Sequence, residues 1–270
     1  MTTLSFLRQY LWPWAQRGLI MQFAMREVSS KYRGSYGGLL WAFITPLLLL
    51  AVYTFVFQYV FHARWLGSED NSLDFAVHLY AGLIVFNCAA EYLVRAPRLI
   101  VDQSNLVKRV IFPLEVLPWS GLLSVLFHLG VAALVLIVAV AVLQGRVSPA
   151  LITLPLVWAA MIPFLLGAGW FLSGLGVYLK DLGQVIGLVV TFLQFLSPVF
   201  YPVEALPAAL RPWLMLNPLT LIIEETRRVV IEGAWPHAGT LLMYSAMGIV
   251  WAILGALFFK RVRQGFADVI

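Results

Sequence analysis

Six stretches of the chain run without Asp, Glu, Lys or Arg: 34–63, 75–90, 116–145, 147–179, 182–203 and 233–259. A helix needs about 20 apolar residues to cross the hydrocarbon core, and five of these runs reach that length. The second is shorter, but apolar character continues past Glu91 to Val94. The runs are continuous rather than short and alternating, which excludes membrane β-barrel strands. The pattern predicts an all-α polytopic protein, one membrane domain over 1–270. Its six transmembrane helices fall at 34–61, 75–95, 116–144, 150–178, 182–200 and 238–260.

Two regions break the pattern. Residues 1–33 form a cytoplasmic or interfacial segment. Within it, 17–33 mixes Leu19, Ile20, Phe23, Met25 and Val28 with Arg17, Arg26, Glu27, Lys31 and Arg33. That mixture suits an amphipathic helix in the headgroup layer, ending on Lys31, Tyr32 and Arg33. Pro13 between Trp12 and Trp14 predicts a break flanked by interfacial aromatic anchors. The second region, 198–236, holds six of the 14 prolines. The apolar piece 212–223 inside it is too short to cross. It predicts re-entrant helices over 201–232, because broken backbone at membrane depth must be covered by protein or line a wet cavity.

Composition supports a lipid-facing surface. The chain is 61% hydrophobic and 11% charged, with mean hydropathy +0.89. Soluble domains average about 25% charged residues. A soluble enzyme, a disordered chain and a free nucleic-acid-binding domain are excluded. The net charge of +5 resides beside the apolar runs, as in loops at an anionic membrane face. With the N-terminus inside, Arg8, Arg17, Arg26, Lys31, Arg33, Arg95, Arg98, Lys108, Arg109, Lys180, Lys260, Arg261 and Arg263 are internal, 13 of the 18 cations. Both termini are therefore expected in the cytoplasm.

Catalytic signals are thin. Cys88 is the single cysteine, so no intrachain disulfide is expected, and no cleavable signal peptide is read at the start. None of the four lysines follows a glycine, so there is no P-loop. His62, His78, His128 and His237 lack metal-binding spacing, and neither a metal site nor a catalytic residue is assigned. His128, mid-span, is a proton relay or a packed interface residue. Glu91 is expected to pair with Arg95. Glu224 and Glu225 beside Arg227 and Arg228 read as an outer ion-pair network, against the alternative of metal ligands in a membrane enzyme.

The inner loop after the second span is expected to form a short helix from Asp102 to Arg109, stopped by Pro113. Asp102, Asn105, Leu106, Val107, Lys108 and Arg109 are either a docking surface for a cytoplasmic ATPase or a turn packed on its own bundle. Lys108 and Arg109 could also meet a lipid pyrophosphate. Aromatic rings can stack on sugar rings without holding them tightly. Tyr53, Phe192 and Phe195 lie deep enough to line a glycan channel. Phe57 and Tyr201, nearer the span ends, complete that set or belong to an interfacial belt.

Several motifs coincide. Lys31-Tyr32-Arg33 is followed by Ser35, Gly38, Trp41 and Pro46. Asn105-Leu106-Val107-Lys108-Arg109 is followed by Phe112-Pro113, Glu115 and Leu117-Pro118. Tyr178-Leu179-Lys180-Asp181, Ser197-Pro198, Tyr201-Pro202 and Asn217-Pro218 with Glu224 and Arg227 complete the pattern. Over nearly its whole length the chain resembles the permease subunit of type-2 ABC exporters of polysaccharides (O-antigen, capsule and teichoic acid). Gly37 stands where Leu is usual and Lys180 where Arg is usual. The resemblance implies a homodimer in the bacterial inner membrane with two copies of a cytoplasmic ABC ATPase. ATP and Mg would be bound by that ATPase, with no cofactor in this chain. The substrate would be a lipid-pyrophosphate-linked polysaccharide, with O-antigen favoured, and no nucleic acid is implied. An ion-coupled carrier or flippase for a lipid-linked glycan is the alternative, but the halves show no repeat and the spans carry little charge.

Overall fold

Lipid offers no hydrogen-bond partners to a peptide group, so long apolar sequence satisfies its backbone internally, as helix. The computed structural model describes residues 10–60, 72–107, 112–145 and 147–269, and these contain helices and turns but no strand. A helix α1 (Arg17–Tyr32) precedes α2 (Trp41–Thr54), which continues as a π-helical turn, Phe55–Val60. α3 (Ser72–Arg95) leads through two short 3-10 turns to α4 (Ser104–Val107). Then come α5 (Val116–Gln144), α6 (Leu154–Tyr178) and α7 (Leu182–Phe195). α8 (Arg211–Met215) and α9 (Pro218–Arg227) precede the long α10 (Ala238–Val262) and a last turn, α11 (Phe266–Val269).

Among the described residues, five helical segments are long and apolar enough to cross a bilayer: Gly38–Phe57, Phe75–Arg98, Val116–Leu143, Pro149–Tyr178 and Ala238–Val269. They overlap five of the six expected stretches, the last running on to Val269. The remaining one, expected over 182–200, is helical only through Phe195. Its 14 residues reach about 21 Å at 1.5 Å per residue, short of the roughly 30 Å hydrocarbon core. The stop has a local cause: Pro198 biases Ser197 away from helical dihedrals, and the chain turns at 196–200.

α3 is the hub, 67% buried across its span, and packs against α2, α5, α6, α7 and α9. α2 is the opposite case: only 6% of its span is covered within the chain. The most extensive contact joins α6 and α10. A Cβ on Gly255 would run into the Gly167 carbonyl, so glycine lets the two backbones touch. Without a hydrophobic driving force in lipid, such close dispersion contact is what holds two helices together.

The two ends of the bundle differ. At one end lie α1, the α3–α5 connection and the C-terminal ends of α6 and α10. This end gathers those of the expected internal cations that lie among the described residues, and we call it the basic end. The opposite end carries the prolines. There Asn217 caps α9 by accepting from the Leu219 amide at 3.0 Å, with Pro218 in the first turn where its missing N–H costs nothing. Leu214, Leu219, Ile222 and Ile223 are buried and α9 packs against α3 and α6, whereas Trp213, Met215 and Leu216 stay exposed.

Candidate functional site

At the basic end α1 lies against α5 with Ile20, Ala24 and Val28 buried. The helix is thus docked on protein along one face. Met21 and Met25 on its other side stay exposed, next to exposed Arg17 and Arg26. Ahead of it Trp12 and Trp14 stack in parallel, ring centroids 6.0 Å apart, and the Arg17 guanidinium sits 4.7 Å over Trp14.

Ion pairs fasten α1 to α3. Glu27 pairs with Arg95. One turn on, Lys31 Nζ meets Glu91 Oε1 at 2.8 Å. His128 Nδ1 of α5 lies 3.5 Å from both of those atoms. The Tyr32 ring meets the His128 imidazole edge-on at 5.8 Å, and burial, with Glu91 second, raises the Tyr32 hydroxyl above its ordinary range. Glu91 therefore bridges α1 and α5, and the expected Glu91–Arg95 pair is replaced by two pairs that each reach α1. Lys31 is about half exposed. Pairs of that kind contribute roughly 0–1 kcal/mol each, so this attachment is specific in position but reversible.

Between α1, the end of α3 and the start of α7 opens a cavity of about 730 Å³. Its rim carries Arg26, Arg95 and Arg98 against Glu27 and Asp102, with Gln103, Gln184 and Ser30 as neutral donors. Guanidinium forks suit phosphate oxygens. Arg33 lies outside this cavity, in a shallower hollow with Arg26 and Tyr32.

The expected docking helix is a 3-10 turn, Val101–Gln103, followed by α4. Val101, Asp102 and Asn105 are exposed. Leu106 and Val107 are half-buried and packed on the core. Lys108 and Arg109 lie outside the described residues. The outward face of this segment is thus Val101, Asp102 and Asn105, while its two central aliphatics brace it on the bundle.

The aromatic candidates divide. Tyr53 and Phe57 are half-buried, and Phe57 packs on Phe75 of α3 with ring centroids 5.1 Å apart. Phe192 and Phe195 are 68% and 64% exposed on α7. With Val185, Leu188, Val189 and Leu196 they form an uncovered apolar stripe at helical spacing. The Tyr201 hydroxyl donates to the Phe195 carbonyl at 2.8 Å. Tyr201 therefore belongs with the α7 pair, whereas Tyr53 lies against Phe57, and Phe57 packs on α3.

Several pairings were missed by sequence reasoning. Glu115 is 1% exposed and receives Arg263 at 2.6 Å. A carboxylate immediately before a long apolar helix signals a need for a cation, but no local pattern names one so distant in sequence. Glu27 was legible only as one charge of an amphipathic helix. In the proline-rich region Arg227 is buried. It donates to the His78 carbonyl, the Val199 carbonyl and Glu224 at 3.0, 3.0 and 2.7 Å. The expected network there is divided: Glu225 pairs with His237, and Arg228 donates to the Trp235 carbonyl. Among the described residues no His, Cys, Asp and Glu cluster converges as for a metal ion.

Comparison with known proteins places these features in a lineage. The chain is 27% identical over 257 residues to the O-antigen export system permease protein RfbA of Myxococcus xanthus, covering 94% of this chain and 96% of that one. It is 21% identical to the Klebsiella pneumoniae protein of the same name, covering 93% and 95%. It is 23% identical to the polysialic acid transport protein KpsM of Escherichia coli, covering 92% and 95%. A family described as ABC-2 type transporter matches residues 18–231. With that match spanning most of the sequence, and four of the five crossing-length helices of the described residues beneath it, the chain belongs to the ABC-2 type transporter family.

Proposed function

We propose that this chain is the membrane subunit of an ATP-driven exporter moving lipid-pyrophosphate-linked polysaccharide, O-antigen in particular, across the bacterial inner membrane. It works as a homodimer with two copies of a separate ABC ATPase, which binds ATP and Mg. The observation that carries this is similarity to an O-antigen export permease over 94% of the chain and to a capsule polysaccharide export protein over 80% of it, together with a short helical segment that projects Val101, Asp102 and Asn105 at the basic end. Both termini are cytoplasmic, since the cations gather there and the positive-inside rule places that end inward. ATPase closure presses on residues 101–107. Lys108 and Arg109 continue the same segment. α1, held by reversible ion pairs, moves with it.

The arginine-rimmed cavity beside α1 suits the lipid pyrophosphate, held by Arg26 and Arg98 before release outward. The uncovered stripe with Phe192 and Phe195, joined by Tyr201, supplies apolar ring faces for a sliding sugar chain. Tyr53 and Phe57 serve that path only if a second copy brings α2 opposite α7, as the exposure of both helices favours.

The test is reconstitution with the cognate ATPase in vesicles. Val101→Ser with Asn105→Ala leaves folding intact, since both are exposed. It is expected to raise ATP hydrolysed per glycan exported at least tenfold. Unchanged coupling would remove the docking role from this segment, and export without any ATPase would overturn the whole assignment.

A further inference from the structure

The chain leaving the coupling segment reaches α5 through residues 112–115. One side chain grips that stretch at two points. Arg263, just past α10, donates to Glu115 Oε2 at 2.6 Å and to the Phe112 carbonyl at 3.0 Å. Glu115 is 1% exposed, and its own carbonyl accepts from Trp170 Nε1 of α6 at 3.2 Å. Tyr10, almost fully buried, closes the cluster. It packs its ring on Trp170 and Phe259, and its carbonyl accepts from Trp119 of α5 at 2.8 Å. Burial first, then Glu115, pushes its hydroxyl up to about 12.

The far side of this cluster is a rigid body. α6 and α10 approach at backbone contact through Gly167 and Gly255. Below them the Tyr178 hydroxyl donates to the Val262 carbonyl at 2.7 Å, and Phe266 is buried against Phe259 and Tyr178. The C-terminal turn is therefore folded back onto the bundle, holding Arg263 in place. A displacement of 112–115 along the helix axes is passed to two long helices that touch neither α4 nor the ATPase-facing residues extensively. Arg263 is half-buried and the Glu115 carboxylate fully so, and burying a carboxylate is a costly way to fill space, often no better than apolar groups of the same volume. Its advantage over them is a fixed register between two elements.

We propose that Glu115 and Arg263 are positioning residues that carry motion of the coupling segment into the α6–α10 pair. The inference rests on the coupling role given above to residues 101–107. Arg263→Lys keeps a cation beside Glu115 but cannot grip two acceptors in one plane. Glu115→Gln with Arg263→Gln replaces the charges by a neutral amide pair and guards against misfolding from an unpaired buried charge.

Both variants are measured in vesicles with the cognate ATPase, for ATP hydrolysed per glycan exported and for the melting temperature of the purified complex. The expected result is at least a fivefold rise in ATP per glycan for Arg263→Lys with an unchanged melting temperature, and a smaller rise for the amide pair. An unchanged ratio overturns the proposal, as does a loss of export that merely follows loss of folded complex. Val101→Ser with Asn105→Ala serves as the control. If it fails to uncouple, the coupling reading itself falls. If it uncouples while the Arg263 variants do not, only the positioning role falls.

Discussion

Replacing Arg227 by Met tests how the proline-rich end is held together. The guanidinium is buried and serves three acceptors on three parts of the chain: the His78 carbonyl on α3, the Val199 carbonyl after α7, and Glu224 on α9. Gly82 makes room for it, since a Cβ there would lie 2.9 Å from the Arg227 Nη2. Met fills similar volume but donates nothing, so two carbonyls and one carboxylate lose a charged donor. Leaving an inward-facing acceptor without its donor costs about 1–3 kcal/mol, and for the two carbonyls together we take about 4 kcal/mol. At about 2–4 °C per kcal/mol for a chain of this size, the purified protein should melt about 10 °C lower, read by intrinsic fluorescence in detergent.

Glu224→Gln should behave differently. Burial raises the Glu224 carboxyl above its ordinary range despite the opposing pull of Arg227, and burial likewise lowers the guanidinium. A raised carboxyl favours the folded state below its unfolded pKa, and that advantage is lost as pH rises through the folded value. At neutral pH the charged Glu224 therefore adds little, and Glu224→Gln should shift melting by less than about 3 °C, within about 1 kcal/mol. Equal losses for the two variants, or a shift below about 2 °C for Arg227→Met, would refute the argument.

Further expectations follow from other contacts. Gly255→Leu should abolish accumulation of the protein in membranes, because any side chain there meets the Gly167 backbone; normal levels on an immunoblot would contradict the close packing of α6 and α10. Phe192→Ala with Phe195→Ala should slow polymer export several-fold without lowering abundance, since both rings are largely exposed; parallel losses of export and abundance would show a packing role instead. Lys31→Met should leave melting within about 4 °C, as a half-exposed pair contributes at most ~1 kcal/mol, yet loosen α1 enough to speed proteolysis at its C-terminal end; unchanged cleavage would show that Glu27–Arg95 and the buried face of α1 suffice to hold the helix.

Much of the fold was legible because lipid simplifies the rules. Charge-free length located five long apolar helices, and 212–223 stood apart by being too short to cross. The 182–200 run is helical only through Phe195: an uncharged stretch looks alike whether helix continues or stops, and only Ser197-Pro198 carried the stop. The family relationship was legible in motifs at the basic end and around the prolines. The pairings were not. Glu91 has Arg95 as its sequence neighbour, but α1 folds back to bring Lys31 closer. Leu106 and Val107 looked like a docking surface, yet their packing on the core leaves outward display to Val101, Asp102 and Asn105. Distant partners such as Arg263 for Glu115 depend on how the α6–α10 body sits, which no local pattern encodes.

The shortness of α7 has a consequence for the membrane itself. A helix of about 21 Å with an apolar flank cannot match a hydrocarbon layer about 30 Å thick. Either lipid beside it dimples inward, at a fraction of a kcal/mol for each ångström, or protein replaces lipid along that flank. Where lipid dimples, an acyl chain sliding past α7 crosses a hydrocarbon layer thinner than that of the surrounding bilayer.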